Sequence, residues 1–347
     1  MTTVTSCAPV RYACDEIADR FYRLIPCLSD SGKRSKLGVK VLLILLHVIL
    51  VGSVFLLDSD LIRRTKKEPW YTVVYLILFA ATLVQYFFTS GSSPGYVIDA
   101  MKAEHGTHAT VINISKASMQ SASRNGNLSS STNSNLLGRN SRSSSSSWLK
   151  LVMDLYPPGS SSRSWTCMYC NIIQPPRSKH CHDCDKCVLQ FDHHCVWLGT
   201  CIGRGNHCRF WWYIFEETIL CVWTGILYIT FLRSKDVKEW WEVFFTVLFL
   251  TALAFCFIFL VLLLLFHSYL VVTNQTTYEL VRRRRILYLR GIPERVRPFS
   301  KGACRNIYNF CCSNDSIYTM EAVPTLEELE ARAKPYTCVD IISCRCC

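Results

Sequence analysis

Long runs of apolar residues alternate with polar segments along this chain. Four runs stand out, at 41–57, 70–88, 210–232 and 243–266. The first extends back to Leu37 across Lys40, because the long lysine side chain can reach the membrane interface. With that extension, each run approaches the roughly 20 residues that a helix needs to cross a bilayer. Since lipid offers no hydrogen-bond partner to an exposed backbone, each run is predicted to form a transmembrane helix.

The composition agrees with a membrane protein better than with two soluble domains. The 347 residues are 50% apolar and only 18% charged. The net charge of +12 could attract nucleic acid, but the Lys and Arg residues flank the apolar runs, where an anionic membrane surface is an equally natural partner. A buried soluble helix is an alternative for the third run, which contains Glu216 and Glu217. Both glutamates are expected at the membrane interface, with a role near the active site as the alternative. His47 in the first run is predicted to pack inside the bundle rather than to bind a metal.

Four spans would leave both ends of the chain on the same side of the membrane. The segments before the first run and after the fourth carry more Lys and Arg near the membrane than the two short loops do. This bias favours cytosolic termini. The segment between the second and third runs would then be cytosolic too, in agreement with its many thiols, which fit a reducing compartment. No cleavable signal peptide is expected in 1–36, since this segment carries four acidic residues and no apolar core.

A serine-rich stretch follows the second apolar run. From Ser115 to Ser164 there are 18 serines in 50 residues and few apolar side chains. Such a composition cannot offset the entropy cost of ordering the chain, so a disordered linker is predicted within 89–164.

Eight of the 20 cysteines lie between Cys167 and Cys208. The string reads Cys167-x2-Cys170, His180-Cys181-x2-Cys184-x2-Cys187, Asp192-His193-His194-Cys195 and Cys201. Two residues between cysteines let a tight turn direct both sulfurs at one ion, and tetrahedral zinc takes mixed Cys and His ligands. The segment is too short and polar for a core of its own, so metal binding would supply its folding free energy, on the order of 10 kcal/mol per site. Two structural Zn²⁺ ions are predicted, with a single zinc or a set of disulfides as the alternatives.

The ligand count leaves a remainder. Two four-ligand sites use eight residues, whereas 167–201 supplies seven cysteines and four histidines. A thiol that is not used by zinc, beside His193 and Asp192, has the ingredients of an activated nucleophile: an imidazole to hold the proton and a carboxylate to orient it. Spacing alone leaves open whether Cys195 is that nucleophile or a spare ligand.

The segment resembles the cysteine-rich domain of the Asp-His-His-Cys (DHHC) protein S-acyltransferases, the palmitoyltransferases. The matching residues are Cys167-Met-Tyr-Cys170, Pro176-Arg177, His180-Cys181, Cys184, Cys187, Asp192-His193-His194-Cys195, Trp197, Cys201-Ile202-Gly203 and Asn206. Outside it, three more elements resemble family motifs: Ser93-Pro94-Gly95, Thr276-Thr277-Tyr278-Glu279 and Phe299-x2-Gly302-x3-Asn306-x3-Phe310. Two departures are Ser93 in place of Asp, and Gly199-Thr200 where Asn-Asn is common.

The resemblance implies a role for each residue of the segment. One zinc would be bound by Cys167, Cys170, His180 and Cys187, and the other by Cys181, Cys184, His194 and Cys201. The residues left for catalysis are Cys195, His193 and Asp192. Neither departure removes any of these groups, so they bear on rate or local geometry and not on the type of reaction.

The family's activity sets the remaining expectations. A long-chain acyl group, palmitoyl above all, would pass from acyl-CoA to Cys195 and then to cytosolic cysteines of membrane-associated proteins. Each buried methylene contributes about 0.8 kcal/mol, which is a reason to hold the chain inside a helix bundle. The expected location is an endomembrane, the Golgi first and the vacuolar or plasma membrane next. Two rivals are a membrane-tethered zinc finger, although no nucleic-acid recognition helix follows the ligands, and a transporter or channel subunit.

Together these inferences predict an all-α polytopic membrane protein with four transmembrane helices and a cytosolic two-zinc domain between helices 2 and 3. The predicted organisation is a cytosolic N-tail (1–36), helices 1 and 2 (37–88), the linker (89–164), the zinc-binding catalytic domain (165–209), helices 3 and 4 (210–266) and a cytosolic C-tail (267–347).

Overall fold

A computed structural model of the protein describes residues 31–104, 147–234, 238–313 and 315–333. Four of the helices in these ranges are long and apolar enough to cross a membrane. They are α1 (Ser31–Leu57), α3 (Pro69–Gly91), α5 (His207–Arg233) and α6 (Trp240–Thr273). The four predicted spans and the predicted all-α membrane fold are confirmed.

The ends of these helices follow from local sequence. Pro69 opens α3 in its first turn, where the missing N–H would have no partner anyway. A capping box between Glu239 and Glu242 starts α6, and Asn274 ends it in the left-handed conformation. A short helix, α2 (Ser59–Lys67), connects α1 to α3.

Within the bundle, α5 is the central helix. It packs against α3 and α6, and 44% of its most apolar stretch is buried, against 11% for α1 and 6% for α6. Buried polar side chains hold it to α3, since Tyr75 and Thr224 are hydrogen-bonded at 2.8 Å and Trp223 donates to the Tyr71 hydroxyl. The outward faces of α1 and α6 are apolar and exposed, as lipid contact requires. The chain is therefore an integral membrane protein.

The fourth membrane helix is longer than its apolar run. It continues to Thr273, so 267–273, predicted to belong to the C-tail, are helical. His267 and Ser268 interrupt the apolar run, but the following Tyr269 and Leu270 continue the helix. At 34 residues α6 is about 51 Å long, more than the roughly 30 Å of a bilayer's hydrocarbon core, so one end projects beyond it.

The predicted linker needs correction at both ends. Residues 97–104 and 147–153 are helical. Trp148 and Val152 on the second of these helices, and Tyr156 just after its end, are buried and pack with Val97 and Cys187. The serine count concealed this apolar face, although the spacing is helical. The rest of the linker (105–146) lies outside the described residues, as do 1–30 of the N-tail and 334–347 of the C-tail.

Between α3 and α5, the described residues form two β-hairpins and one short helix in addition to the helical stretches 97–104 and 147–153. Strands β1 (Lys179–Cys181) and β2 (Lys186–Val188) form one hairpin, and β3 (His193–Cys195) and β4 (Thr200–Ile202) form the other, both antiparallel. The short helix α4 (Ser162–Trp165) precedes them. After α6, the described residues form three further α-helices, α7 (Thr277–Arg282), α8 (Ala303–Cys311) and α9 (Leu326–Ala333), and two 3-10 helices at Arg283–Arg285 and Leu287–Leu289. The chain before α9 returns to this segment, where Val323 N–H donates to the Leu155 carbonyl at 2.8 Å.

Candidate active site and metal centres

The two hairpins pair residues that were predicted to bind metal. In the first, His180 lies opposite Cys187, and in the second, His194 lies opposite Cys201. Opposite residues in an antiparallel pair have Cβ atoms only about 5 Å apart. Each hairpin therefore brings one histidine and one cysteine to the same point.

A Cys-x2-Cys turn supplies two more sulfurs to each point. Asn171 follows Cys170 with a φ of 51°, and Asp185 follows Cys184 with a φ of 49°. This left-handed conformation is tolerated by Asn and Asp better than by other residues with a side chain. The chain reverses there, which aims both sulfurs of each turn in one direction.

The result is two compact Cys3His clusters whose four ligand atoms lie within 4.8 Å of one another. One consists of Cys167, Cys170, His180 and Cys187, the other of Cys181, Cys184, His194 and Cys201. In the second cluster, His194 Nδ1 lies 3.5 to 3.6 Å from the three sulfurs. In the first, His180 Nδ1 lies 3.3 Å from Cys170 Sγ and 3.9 Å from Cys187 Sγ. Bonds of about 2.3 Å (Zn–S) and 2.0 Å (Zn–N) in a tetrahedron place S and N about 3.5 Å apart, so both donor sets fit zinc.

Cys195 lies outside both clusters. Side chains alternate along a strand, so on β3 His193 and Cys195 share one face while His194 lies on the other. His193 Nδ1 is 2.7 Å from Asp192 Oδ2, and the same ring is hydrogen-bonded to the Cys195 thiol. The three residues predicted to be catalytic are thus in contact, next to the second metal cluster but separate from it.

The Asp192 carboxylate is held from the far end of the fourth membrane helix. Its Oδ1 accepts the Thr277 backbone N–H at 2.7 Å, and its Oδ2 accepts the Thr277 hydroxyl at 2.8 Å. Asp192 is only 1% exposed, so these bonds replace water. Thr277 belongs to the Thr-Thr-x-Glu motif, whose link to Asp192 the sequence did not reveal.

The charges of this site favour an ionised carboxylate and a protonated imidazole. Burial raises the pKa of Asp192, but the hydrogen bond from His193 and the neighbouring histidines outweigh it and keep that pKa well below its usual range. Burial lowers the pKa of His193, but its hydrogen bonds to Asp192 and Cys195 raise it to about 9. At neutral pH the imidazole therefore carries the proton.

Two further histidines lie behind His193. His207 Nε2 is 3.1 Å from His267 Nδ1, and the His267 ring is 5.8 Å from that of His193. Both are at least 92% buried. Sequence reasoning missed them because His267 falls just beyond the apolar run and His207 just before one. An ionisable residue at the end of a membrane span was the available signal.

The buried Arg177 connects the segment that carries the Cys3His clusters to the C-terminal region. Arg177 donates two hydrogen bonds to the Glu279 carboxylate, at 2.8 and 2.9 Å, and also pairs with Glu321. Its guanidinium carbon lies 4.4 Å from the ring centre of Phe299. Burial lowers the pKa of Arg177, but the two carboxylates raise it overall, so it stays charged. This network joins two of the quoted motifs, Pro176-Arg177 and the one that ends at Glu279.

The Ser-Pro-Gly element after α3 is held to the segment with the Cys3His clusters by backbone hydrogen bonds. Gly205 N–H donates to the Pro94 carbonyl at 3.0 Å, and Leu189 N–H donates to the Gly95 carbonyl at 2.8 Å. A Cβ atom at Gly203 would lie 2.8 Å from that same Pro94 oxygen, so only glycine permits the approach. This contact fixes the second membrane helix relative to the segment that carries Asp192, His193 and Cys195, and the Ser93 departure leaves it intact.

An apolar cavity of about 470 Å³ opens beside Cys195 within the bundle. Its walls come from α1, α5 and α6, with Leu43, Leu46, Phe210, Ile214, Leu260 and Leu263 among the lining residues. His47 and Glu217 are among its polar lining residues, and they are 2.8 Å apart. Glu217, expected at the membrane interface or near the active site, is 8% exposed and pairs with His47 inside the bundle, in the cavity beside Cys195.

Known proteins match this architecture across the chain. The family model described as DHHC palmitoyltransferase matches residues 160–284. Protein S-acyltransferase 10 of Arabidopsis thaliana is 54% identical over 344 residues, which cover 98% of this chain and 99% of that protein. Palmitoyltransferase ZDHHC12 of Homo sapiens is 37% identical over 150 residues, or 42% of this chain and 55% of that protein.

These matches identify an acyltransferase enzyme and not a zinc-dependent binding module or a transporter. They cover the zinc-capable clusters, and the 54% match extends over all four membrane helices as well. The chain belongs to the DHHC palmitoyltransferase family of protein S-acyltransferases.

Proposed function

We propose that this enzyme moves a long-chain acyl group, palmitoyl first of all, from acyl-CoA to cysteine thiols of membrane-associated proteins, through a thioester on Cys195. The observation that carries the proposal is the contact among Asp192, His193 and Cys195 at the mouth of an apolar cavity. An activated thiol and a place for a long apolar chain thus lie side by side.

The first step loads the enzyme. The Cys195 thiolate attacks the thioester carbonyl of acyl-CoA, while His193 holds the proton that the thiol gave up. The bond from the carbonyl carbon to the coenzyme A sulfur breaks, and the leaving thiolate takes the proton from the imidazolium. Asp192 keeps the ring oriented throughout, held in turn by Thr277.

The second step transfers the acyl group from Cys195 to the acceptor protein. The acceptor cysteine gives its proton to His193, and its sulfur attacks the carbonyl of the acyl-Cys195 thioester. The bond to Cys195 breaks, and the enzyme's thiol is restored when the imidazolium returns the proton. His193 is the base in both steps, and Asp192 orients its ring in both.

The two Cys3His clusters would each hold one Zn²⁺ with a structural role. Each set supplies four protein ligands and leaves no open position, which is typical of structural zinc. Bound zinc supplies folding free energy to a segment that has only small apolar clusters of its own. Cys195 remains free for chemistry because it belongs to neither set.

The proposed setting is an endomembrane, the Golgi first, with the catalytic segment and both termini in the cytosol. A reducing compartment keeps the cysteines of the two clusters available as ligands, and it is where acyl-CoA and the acceptor thiols would be met. The proposed domain organisation follows that of the sequence, with helix 4 extended to Thr273 and the linker shortened to about 105–146.

The test is self-acylation of the purified full chain in lipid nanodiscs with radioactive palmitoyl-CoA. Wild type should acquire a label that hydroxylamine removes, and should pass it to a thiol peptide attached to the membrane. Cys304→Ser, a change to an exposed thiol far from the site in sequence, should behave like wild type. A wild-type chain that takes up no hydroxylamine-sensitive label would overturn the proposal.

A further inference from the structure

A third group of metal-binding side chains lies at the active site, outside the two Cys3His clusters. Asp192, His193 and His267 each offer one ligand atom, and these atoms lie within 4.8 Å of one another, as do those of each cluster. His193 is on β3 and His267 on α6, so only the folded chain brings them together. One carboxylate and two imidazoles form a donor set that zinc takes in sites with an open fourth position.

Two of the three ligands are held by outer partners of the kind that surround a metal site. Metal-binding side chains usually make a second hydrogen bond, which fixes their orientation. The Asp192 carboxylate accepts two hydrogen bonds from Thr277, at 2.7 and 2.8 Å. His267 Nδ1 lies 3.1 Å from His207 Nε2, whereas Nε2 of the His267 ring has no hydrogen-bond partner among the described residues. When Nδ1 donates to His207, this second nitrogen of a buried ring has a lone pair for an ion.

Cys195 can supply the fourth ligand. Its thiol is hydrogen-bonded to the ring of His193, so the sulfur lies next to the three other donors. Thiolate, imidazole and carboxylate groups all bind zinc, and four of them complete a tetrahedron. The His193 side chain is 30% exposed, so the group is accessible from the surface of the molecule.

An ion at this point would occupy the groups that the proposed reaction uses. Zinc takes deprotonated ligands, so the His193 ring and the Cys195 thiol would release their protons when it binds. A nitrogen bound to zinc cannot hold a proton, and a sulfur bound to zinc is a poor nucleophile. The hydrogen bonds of His193 are lost in exchange, so the site is weaker than the two clusters and fills only when zinc is added.

We propose that His267 joins Asp192 and His193 in a third zinc site, and that acylation stops when this site is filled. Cys195 completes the site. His267 distinguishes it from the catalytic contact, because His267 binds the ion and has no part in the proposed reaction. The inhibition rests on the proposed function, whereas the number of bound ions does not depend on it.

The experiment adds zinc chloride to the purified full chain in nanodiscs, with both clusters already filled. As zinc is added, native mass spectrometry should count one more ion on wild type than on His267→Phe, and labelling of wild type by palmitoyl-CoA should fall. His267→Phe keeps an aromatic ring against Phe210 but has no ligand atom, so zinc should not slow it relative to its own zinc-free rate. His207→Phe removes only an outer partner and should raise the zinc concentration for half inhibition by roughly 10- to 100-fold.

Ser268→Ala is the matched control, and His267→Cys is the rescue. The control removes a hydrogen bond of 2.9 Å from Trp211, between the same two helices, but no ligand, so it should keep the wild-type inhibition. His267→Cys restores a ligand atom and should bind the additional ion again.

The counts of zinc separate the outcomes. Equal counts in wild type and His267→Phe, or an additional ion that leaves labelling of wild type unchanged, would overturn the inference and leave the proposed function intact. If His267→Phe lacks the zinc of either cluster, it has not folded, and His267→Gln decides the question. A wild type that takes up no label even without added zinc would overturn the proposed function, and the counts alone would then decide for or against the third site.

Discussion

The segment with the two Cys3His clusters and the helix bundle differ in how neighbouring residues are used. In the segment, neighbours in sequence do different work: His193 contacts Asp192 and Cys195, whereas His194 on the other face of the same strand belongs to a Cys3His cluster. In the bundle, long stretches share one property, an apolar surface, and single polar residues stand out. In the segment, adjacent residues can therefore have different roles. In the bundle, the role of a residue depends on the helix face on which it lies.

Metal removal should have the largest effect, because it should unfold the segment and leave the helix bundle folded. A strong chelator should remove two Zn²⁺ per chain and unfold the segment, since each site contributes on the order of 10 kcal/mol to its folding. The membrane helices should remain, because lipid enforces their backbone hydrogen bonds. Zinc assays and far-ultraviolet circular dichroism on the same sample check both statements. A zinc content near one per chain, or complete loss of helix signal, would contradict them.

Separate replacement of each of the two adjacent histidines by alanine should give opposite phenotypes. His193→Ala should keep both zinc ions and slow acylation by roughly 10²- to 10⁴-fold, the range for a lost general base. His194→Ala should lose metal from the second cluster, with inactivity as a result of unfolding. Bound zinc and single-turnover labelling of both purified variants provide the measurement. Equal zinc contents in the two variants would mean that the strand does not separate the roles.

Thr277→Val tests the link from the end of the bundle to the Asp192 carboxylate, which we propose to be catalytic. It removes the hydroxyl that donates to Asp192 and retains the backbone N–H contact. A hydrogen bond to a charged group contributes about 1.5 to 3 kcal/mol, so acylation should slow by roughly 10- to 100-fold with zinc retained. Thr277→Ser, which restores the hydroxyl, should recover most of the rate. A valine variant as fast as wild type would remove Thr277 from the account.

The smallest expected effect concerns the Arg177–Glu321 pair. Burial raises the pKa of Glu321, but the charge of Arg177 lowers it overall, so the pair stabilises the fold above the ordinary glutamate pKa of about 4.3. That stabilisation is lost as the pH falls through the lowered value. Glu321→Gln should reduce the unfolding temperature by roughly 2 to 4 °C at pH 7, and the difference from wild type should shrink in acid. A difference that grows toward acid pH would reverse the sign.

Features that depend on residues close together in the sequence could be predicted from it, whereas contacts between distant residues could not. Spacing alone indicated two metal sites, and apolar runs alone indicated four membrane helices, because both signals are local. The contact between Arg177 and Glu279 joins residues 102 positions apart, and that between Asp192 and Thr277 joins residues 85 apart. Such pairs depend on tertiary packing, which no local pattern encodes.

Two local signals were present but outweighed. The spacing of Trp148, Val152 and Tyr156 is that of a buried helix face, yet the surrounding serines favoured a disordered linker. His47 and Glu217 were each visible as ionisable residues in apolar runs, but their pairing requires the two helices to be adjacent. The sequence therefore showed which polar residues lie inside membrane spans, but it did not show which of them are paired.

Native mass spectrometry of Cys195→Ser after exposure to palmitoyl-CoA tests the central claim, that one cysteine does chemistry among others that bind metal. A single spectrum reports both the zinc content and any covalent acyl group. The account predicts two zinc ions and no acyl adduct for Cys195→Ser, against two zinc ions and one adduct for wild type, since a serine hydroxyl is far less readily ionised than a thiol. A Cys195→Ser chain that has lost zinc, or that still carries a thioester-linked acyl group, would contradict it.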